Sequence, residues 1–118
     1  MRILTFVMLF TCYVTASASN VSVTGGGILS CGKWMAAVTS QDECQQQVFI
    51  QWIVGFTASY NLFRARNEQL QIQQPDLDTA RLWMTTYCTK NPTHNTMKST
   101  LALIDKLGGL PSYHEWVK

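Results

Sequence analysis

Charge is scarce in this chain. Nine Lys and Arg and seven Asp and Glu stand among 118 residues, for a net charge of +2. Nucleic-acid binding needs clustered cations facing phosphates, and no such cluster occurs. An anionic membrane surface is unsuited for the same reason. Histidine is scarcer still, at two residues, His94 and His114. No two cysteines stand at Cys-x-x-Cys spacing and no carboxylates gather, so the ligand pattern of a structural metal site is missing. Gly25-Gly26-Gly27 has neither the preceding strand nor the following Lys of a phosphate-cradling loop. No nucleophile and base stand at a recognisable spacing. These absences assign no metal, no cofactor and no catalytic residue, and the expectation is a protein that is not an enzyme. Repeats and useful stretches of β-alternation are also missing, and no long apolar run follows Val14.

What is present begins at the N-terminus. Arg2 precedes an apolar stretch, Ile3 to Val14, and Ala16-Ser17-Ala18 supplies the small residues a signal peptidase reads. This is the layout of a cleaved secretory signal at residues 1–18. It implies an oxidising compartment, the periplasm or the exterior, and no stable membrane insertion after cleavage. Residues 19–27 end in the triglycine and read as a flexible leader. Residues 28–118 then form a single domain with an aromatic C-terminal tail. Its core is modest in size, so one crosslink matters.

The domain reads as all-α. Ile28, Cys31, Met35 and Val38, with Trp34 beside them, recur at helical spacing. Ser40-Gln41-Asp42-Glu43 reads as a capping box opening the longest helix. Cys44, Val48, Trp52, Phe56, Tyr60 and Phe63 form its expected inner row, widened by Phe49 and Ile53. Gly55 and Ala58 offer small surfaces to a neighbouring helix. Asn67 to Pro75 is polar and Gln-rich and reads as a loop. Asp76 or Asp78 caps a third helix, with Leu77, Ala80, Met84, Tyr87 and Cys88 inward, and Asn91-Pro92 stops it. A fourth helix is expected from about Thr93 to Leu107, with Met97, Leu101, Ile104 and Leu107 as its apolar stripe and Gly108-Gly109 as its stop. The architecture is a small four-helix bundle.

Three cysteines, Cys31, Cys44 and Cys88, follow the signal, and three pairings leave one thiol over. Cys31–Cys88 closes the longest loop of those that tie down the first helix. The chain-entropy relation favours it, at roughly 4 kcal/mol against about 3 for Cys31–Cys44. Cys44 is then a free thiol: a small buried apolar residue on the inner row, or the site of an intermolecular disulfide.

Three segments carry a family resemblance: Cys31-Gly-Lys-Trp34, then Trp52-Ile-Val-Gly55-Phe56-Thr-Ala58, then Tyr87-Cys88-Thr-Lys-Asn-Pro92 ahead of a last amphipathic helix. The order, from about Leu29 to Leu107, resembles small periplasmic helical proteins of the HdeA-like kind, which include acid-stress chaperones. It is also similar to the Tai-type immunity proteins that guard bacteria against type VI-secreted amidases. Both groups share a signal peptide, a small bundle and a cysteine pair of this placement, which supports Cys31–Cys88. The resemblance implies a non-catalytic protein-binding module, most concretely an immunity or inhibitor protein with a toxin or enzyme as partner. An HdeA-like acid or stress chaperone, with client proteins, is the alternative it implies, although the few carboxylates suit that role less. The expected partner contacts are Gln69, Gln71 and Gln73 in the exposed loop, and Trp116 in the tail. A homodimer is also compatible with these residues.

Overall fold

The computed structural model describes residues 23–109. The expected signal, residues 19–22 and the tail from residue 110, with His114 and Trp116, lie outside the described residues. A 3-10 turn over Gly25–Ile28 precedes four helices: α1 Cys31–Thr39, α2 Glu43–Arg66, α3 Leu77–Lys90 and α4 Thr96–Lys106. Among the described residues there is no strand, only an isolated antiparallel bridge between Ser30 and Asn95. The chain is an all-α four-helix bundle, tied by a Cys31–Cys88 disulfide across a sequence separation of 57.

Each helix opens on a short polar side chain that accepts an otherwise unpaired amide. Ser30 accepts from Lys33 N, Asp42 from Gln45 N, Asp76 from Thr79 N, and Asn95 from Lys98 N. The expected capping box at Ser40 does not form. Ser40 instead ends α1, its hydroxyl donating to Ala36 O at 2.9 Å. Gln41 then takes a left-handed conformation, φ 55°, and turns the chain. Asp42 is the first acceptor after that turn and caps α2. The fourth helix likewise starts later than expected, because His94 N closes a turn onto Asn91 O and Asn95 becomes the cap.

The core gathers Cys31 and Trp34 of α1, Phe49, Ile50 and Ile53 of α2, Ala80, Met84 and Cys88 of α3, and Leu103 of α4. Trp34 and Phe49 meet edge to face, ring centroids 5.4 Å apart. On α2 the inner row differs from the expected one. Gln46, Phe49, Ile50, Ile53 and Thr57 are buried, whereas Cys44, Val48 and Phe63 are exposed and Trp52, Phe56 and Tyr60 half-buried. On α4 the buried side is Thr96, Ser99, Thr100, Leu103 and Ile104, and Leu107 of the expected stripe is exposed. Leu77 at the start of α3 is also exposed.

Hydrogen bonds explain both rotations. A polar side chain enters a core at little cost when its groups are paired. Gln46 Nε2 donates to Ala37 O, and its Oε1 accepts from Arg81. Thr57 Oγ1 donates back to Ile53 O at 3.0 Å. Thr96 Oγ1 donates to Leu29 O and Thr100 Oγ1 to Thr96 O. Trp83 Nε1 donates to Ser99 O at 3.0 Å. Among the described residues, no buried side-chain nitrogen or oxygen lacks a partner.

The triglycine is not a free leader. Gly26 and Gly27 are buried beneath Trp52. A Cβ on Gly26 would lie 2.9 Å from Trp52 Cβ, and one on Gly27 would lie 2.7 Å from Trp52 Cε2. Glycine stands here because the backbone approaches an indole closely, not because freedom is needed. The segment continues into a clamp. Cys31 N donates to His94 O at 2.9 Å, and Thr96 N to Leu29 O at 3.0 Å. The disulfide therefore joins α1 to α3 close to where the backbone already ties α1 to the entry of α4.

Candidate interaction loop

The segment between α2 and α3 is irregular, as the sequence predicts, but it is held to α2 at three points, two through its backbone and one through a side chain. Arg64 Nε donates to Leu70 O at 2.8 Å. Asn61, one turn earlier on α2, bonds both backbone groups of Ile72, Nδ2 to Ile72 O and Ile72 N to Oδ1, each at 2.9 Å. Gln74 Nε2 reaches Val54 O at 3.1 Å and Thr57 Oγ1 at 2.8 Å. These partners descend α2 from its end towards its middle, so the returning chain is laid along the helix.

Apolar residues inside the polar run serve as anchors. Ile72 and Pro75 are buried. Ile72 packs on Gly109, where a Cβ would stand 2.6 Å from Ile72 Cγ2 and 2.7 Å from Ile104 Cγ2. Gly109 O accepts from the Tyr60 hydroxyl and from Arg64 Nη1. Arg64 also lies over the Tyr60 ring, 5.8 Å from its centroid. One arginine thus holds Leu70, Tyr60 and the end of α4 together.

Gln69, Gln71 and Gln73 are exposed, in line with the sequence reading of them as outward-facing. The sequence reading missed Leu70. It is 87% exposed, the most exposed of the large hydrophobic side chains described. It also missed the clamps Asn61, Arg64 and Gln74. The signal for Ile72 and Pro75 was present, as apolar residues in a glutamine run. Nothing in the spacing of Asn61 announced its role.

The other candidates lie apart from this loop. Cys44 is a free, exposed thiol in the first turn of α2, which overturns its placement on the buried row. His94 Nδ1 is 2.7 Å from the Tyr87 hydroxyl, with the two rings 5.8 Å apart. Its engagement is structural, at the turn that receives α1. Trp34 is buried, and Trp52 and Trp83 are half-buried. Among the described residues, no three His, Cys, Asp or Glu side chains gather to hold a metal ion. No helix among them is long and apolar enough to cross a membrane.

Asp76, where the loop meets α3, is the titratable group whose environment is most telling. The backbone N–H of Thr79, and then its hydroxyl, donate to the carboxylate and hold its pKa below the ordinary 3.8. The charge sits at the positive end of α3, where it is favoured. No family model, curated protein or solved structure matches this chain.

Proposed function

We propose that this chain is a non-catalytic protein-binding module of the periplasm or the exterior, which presents residues 69–73 to a partner protein. The observation that carries the reading is Leu70. A leucine left almost wholly in water is ordinary on a mobile loop, where it has no fixed place. Here its own carbonyl is bonded to Arg64 and its neighbour Ile72 is bonded twice to Asn61. With the backbone already fixed, a partner that covers Leu70 is spared the cost of ordering the loop and has only the side-chain rotamers to fix. Gln69 and Gln71 flank it with donors and acceptors that suit a polar rim around a small apolar contact. The most concrete form of this role is an immunity or inhibitor protein that inserts a stiff loop into the cleft of a toxic enzyme. The Cys31–Cys88 disulfide supports the oxidising compartment.

The test is co-purification of the tagged chain from cells carrying its neighbouring genes. The expected result is one stoichiometric partner, lost on Leu70→Asp and retained on Leu82→Asp, since Leu82 is also exposed but lies on α3. Absence of any stable partner, or a partner indifferent to Leu70→Asp, overturns the proposal.

A further inference from the structure

The chain leaves the described residues at a point that is tightly held. Gly108 turns it out of α4 with a φ of 80°. Gly109 is buried, and both of its backbone groups are bonded. Its N–H donates to Ile104 O at 2.9 Å, and its carbonyl accepts from the Tyr60 hydroxyl and from Arg64 Nη1. The nine residues from Leu110 to Lys118 therefore depart from a fixed place on the last turns of α2.

Beside that place α2 is apolar and bare. Phe63 is 64% exposed and Leu62 65%. With Ser59, Arg66 and Asn67 they border a hollow of about 460 Å³. At 3.6 residues per turn, Phe63 stands about 60° round the helix from Tyr60 and within about 40° of Trp52 and Phe56. Phe63 thus continues an aromatic flank. Higher up, where Trp52 and Phe56 stack with ring centroids 5.1 Å apart, that flank is covered, because Gly26 and Gly27 lie on Trp52. Among the described residues, nothing similar covers it at Phe63.

We infer that the segment Leu110–Lys118 of this chain turns across the end of α2 and docks on Phe63 and Leu62, with Trp116 anchored in the hollow. Reach, composition and charge select this occupant. Trp116 lies seven residues beyond Gly109. Seven extended residues span roughly 23 Å, and a helix with its side chains is about 10 Å across. Leu110, Tyr113, Trp116 and Val117 are apolar or aromatic, and the bare Phe63 and Leu62 offer them apolar area to bury. Arg66 borders the hollow and makes no ion pair among the described residues, while Glu115 immediately precedes Trp116. A buried indole N–H asks for an acceptor. Asn67, at the rim, donates its Nδ2 to Phe63 O at 2.8 Å, which leaves its Oδ1 to accept. Trp116, which the sequence offers as a partner contact, is then engaged within the chain.

The inference uses Phe63 and Leu62 rather than Leu70, so it and the proposed function fail separately. The test is disulfide trapping in the full chain carrying Cys44→Ser, with the Cys31–Cys88 bridge intact. Ser59→Cys paired with Val117→Cys is expected to close an intramolecular disulfide at a rate independent of protein concentration. That closure should be several-fold faster than for Thr86→Cys paired with Val117→Cys, since Thr86 is also exposed but lies on α3. Phe63→Asp and, separately, Leu62→Asp are expected to slow the first closure to the rate of the second with unchanged helical dichroism. Leu70→Asp is expected to leave it unchanged. Equal rates for the two pairs overturn the inference, as does a closure indifferent to both Phe63→Asp and Leu62→Asp. A crosslink that forms only between chains, faster as concentration rises, overturns it too and gives the hollow to a second copy.

Discussion

Asn61 and Ile72 pair as two residues of neighbouring strands would, although one is a helix side chain and the other a loop backbone. The amide of Asn61 supplies one acceptor and one donor, and Ile72 meets both at 2.9 Å. The loop gains the fixity of a ladder without a strand to pair with. The buried Ile72 side chain then seals the contact against Gly109 and Ile104.

Asn61→Ala is expected to cost about 2 kcal/mol, because two partly buried backbone groups lose their partner at once. The check is urea denaturation, with hydrogen exchange at the Ile72 amide as the local readout. The amide should lose protection even under conditions where the bundle stays folded. An unchanged exchange rate at Ile72 would show that the clamp does not hold the loop.

Gly27→Ala is expected to destabilise the chain by about 1–3 kcal/mol, the usual cost of forcing an extra group into a packed contact. The added methyl would meet the six-membered ring of Trp52 and the side chain of Val23. Gly25→Ala is a useful comparison, since its Cβ would meet nothing and its cost comes only from the left-handed φ of 66°. That cost is roughly 1 kcal/mol. Denaturation midpoints of the two variants should therefore separate, with Gly27→Ala the lower.

The two glycine runs show what was legible in the sequence and what was not. Composition and periodicity identified four helices, their order and the Cys31–Cys88 pairing, because each depends on local pattern or on chain entropy. Which face of α2 and α4 turns inward was not legible. Hydrophobicity pointed to Cys44, Val48 and Leu107, yet the core took Gln46, Thr57, Thr96 and Thr100. Those residues enter because distant partners such as Ala37, Gln74 and Leu29 pair with them or their helix closes on them. A linear pattern does not contain those partners. The triglycine failed for a similar reason: nothing nearby revealed that Trp52 would lie on it. Of the candidate loop, its position and its outward glutamines were legible, but its rigidity was not.

The disulfide spans a separation of 57 residues and is buried at both ends. Its removal is expected to cost about 4 kcal/mol, the chain-entropy value for a loop of that length. Guanidinium denaturation of the oxidised and reduced chain measures this directly. The effect should appear first at the α1 clamp, as faster exchange of the Cys31 and Thr96 amides, whose bonds to His94 O and Leu29 O join the two segments. Loss of less than about 1 kcal/mol would mean that this clamp and the core hold α1 without the crosslink.

Acid should weaken α3 at its start. The folded pKa of Asp76 lies below its ordinary value of 3.8, because Thr79 donates to the ionised form. A lowered folded pKa means that the unfolded chain binds the proton more readily. The contribution of Asp76 is therefore complete above the unfolded value and is lost as pH falls through the folded one. Asp76→Asn keeps a capping oxygen but does not titrate. Between about pH 5 and pH 2 the natural chain should lose more stability than this variant, and the difference should vanish above about pH 5. Equal pH slopes for the two would remove Asp76 from the account. The same titration separates the functional readings. An acid chaperone must open as its carboxylates protonate, and the acid-sensitive contact described is the Asp76 cap. With the disulfide intact, the bundle is expected to keep its near-UV dichroism at about pH 2 and to bind no hydrophobic dye. Loss of that signal, with dye binding, would favour the chaperone over the binding module.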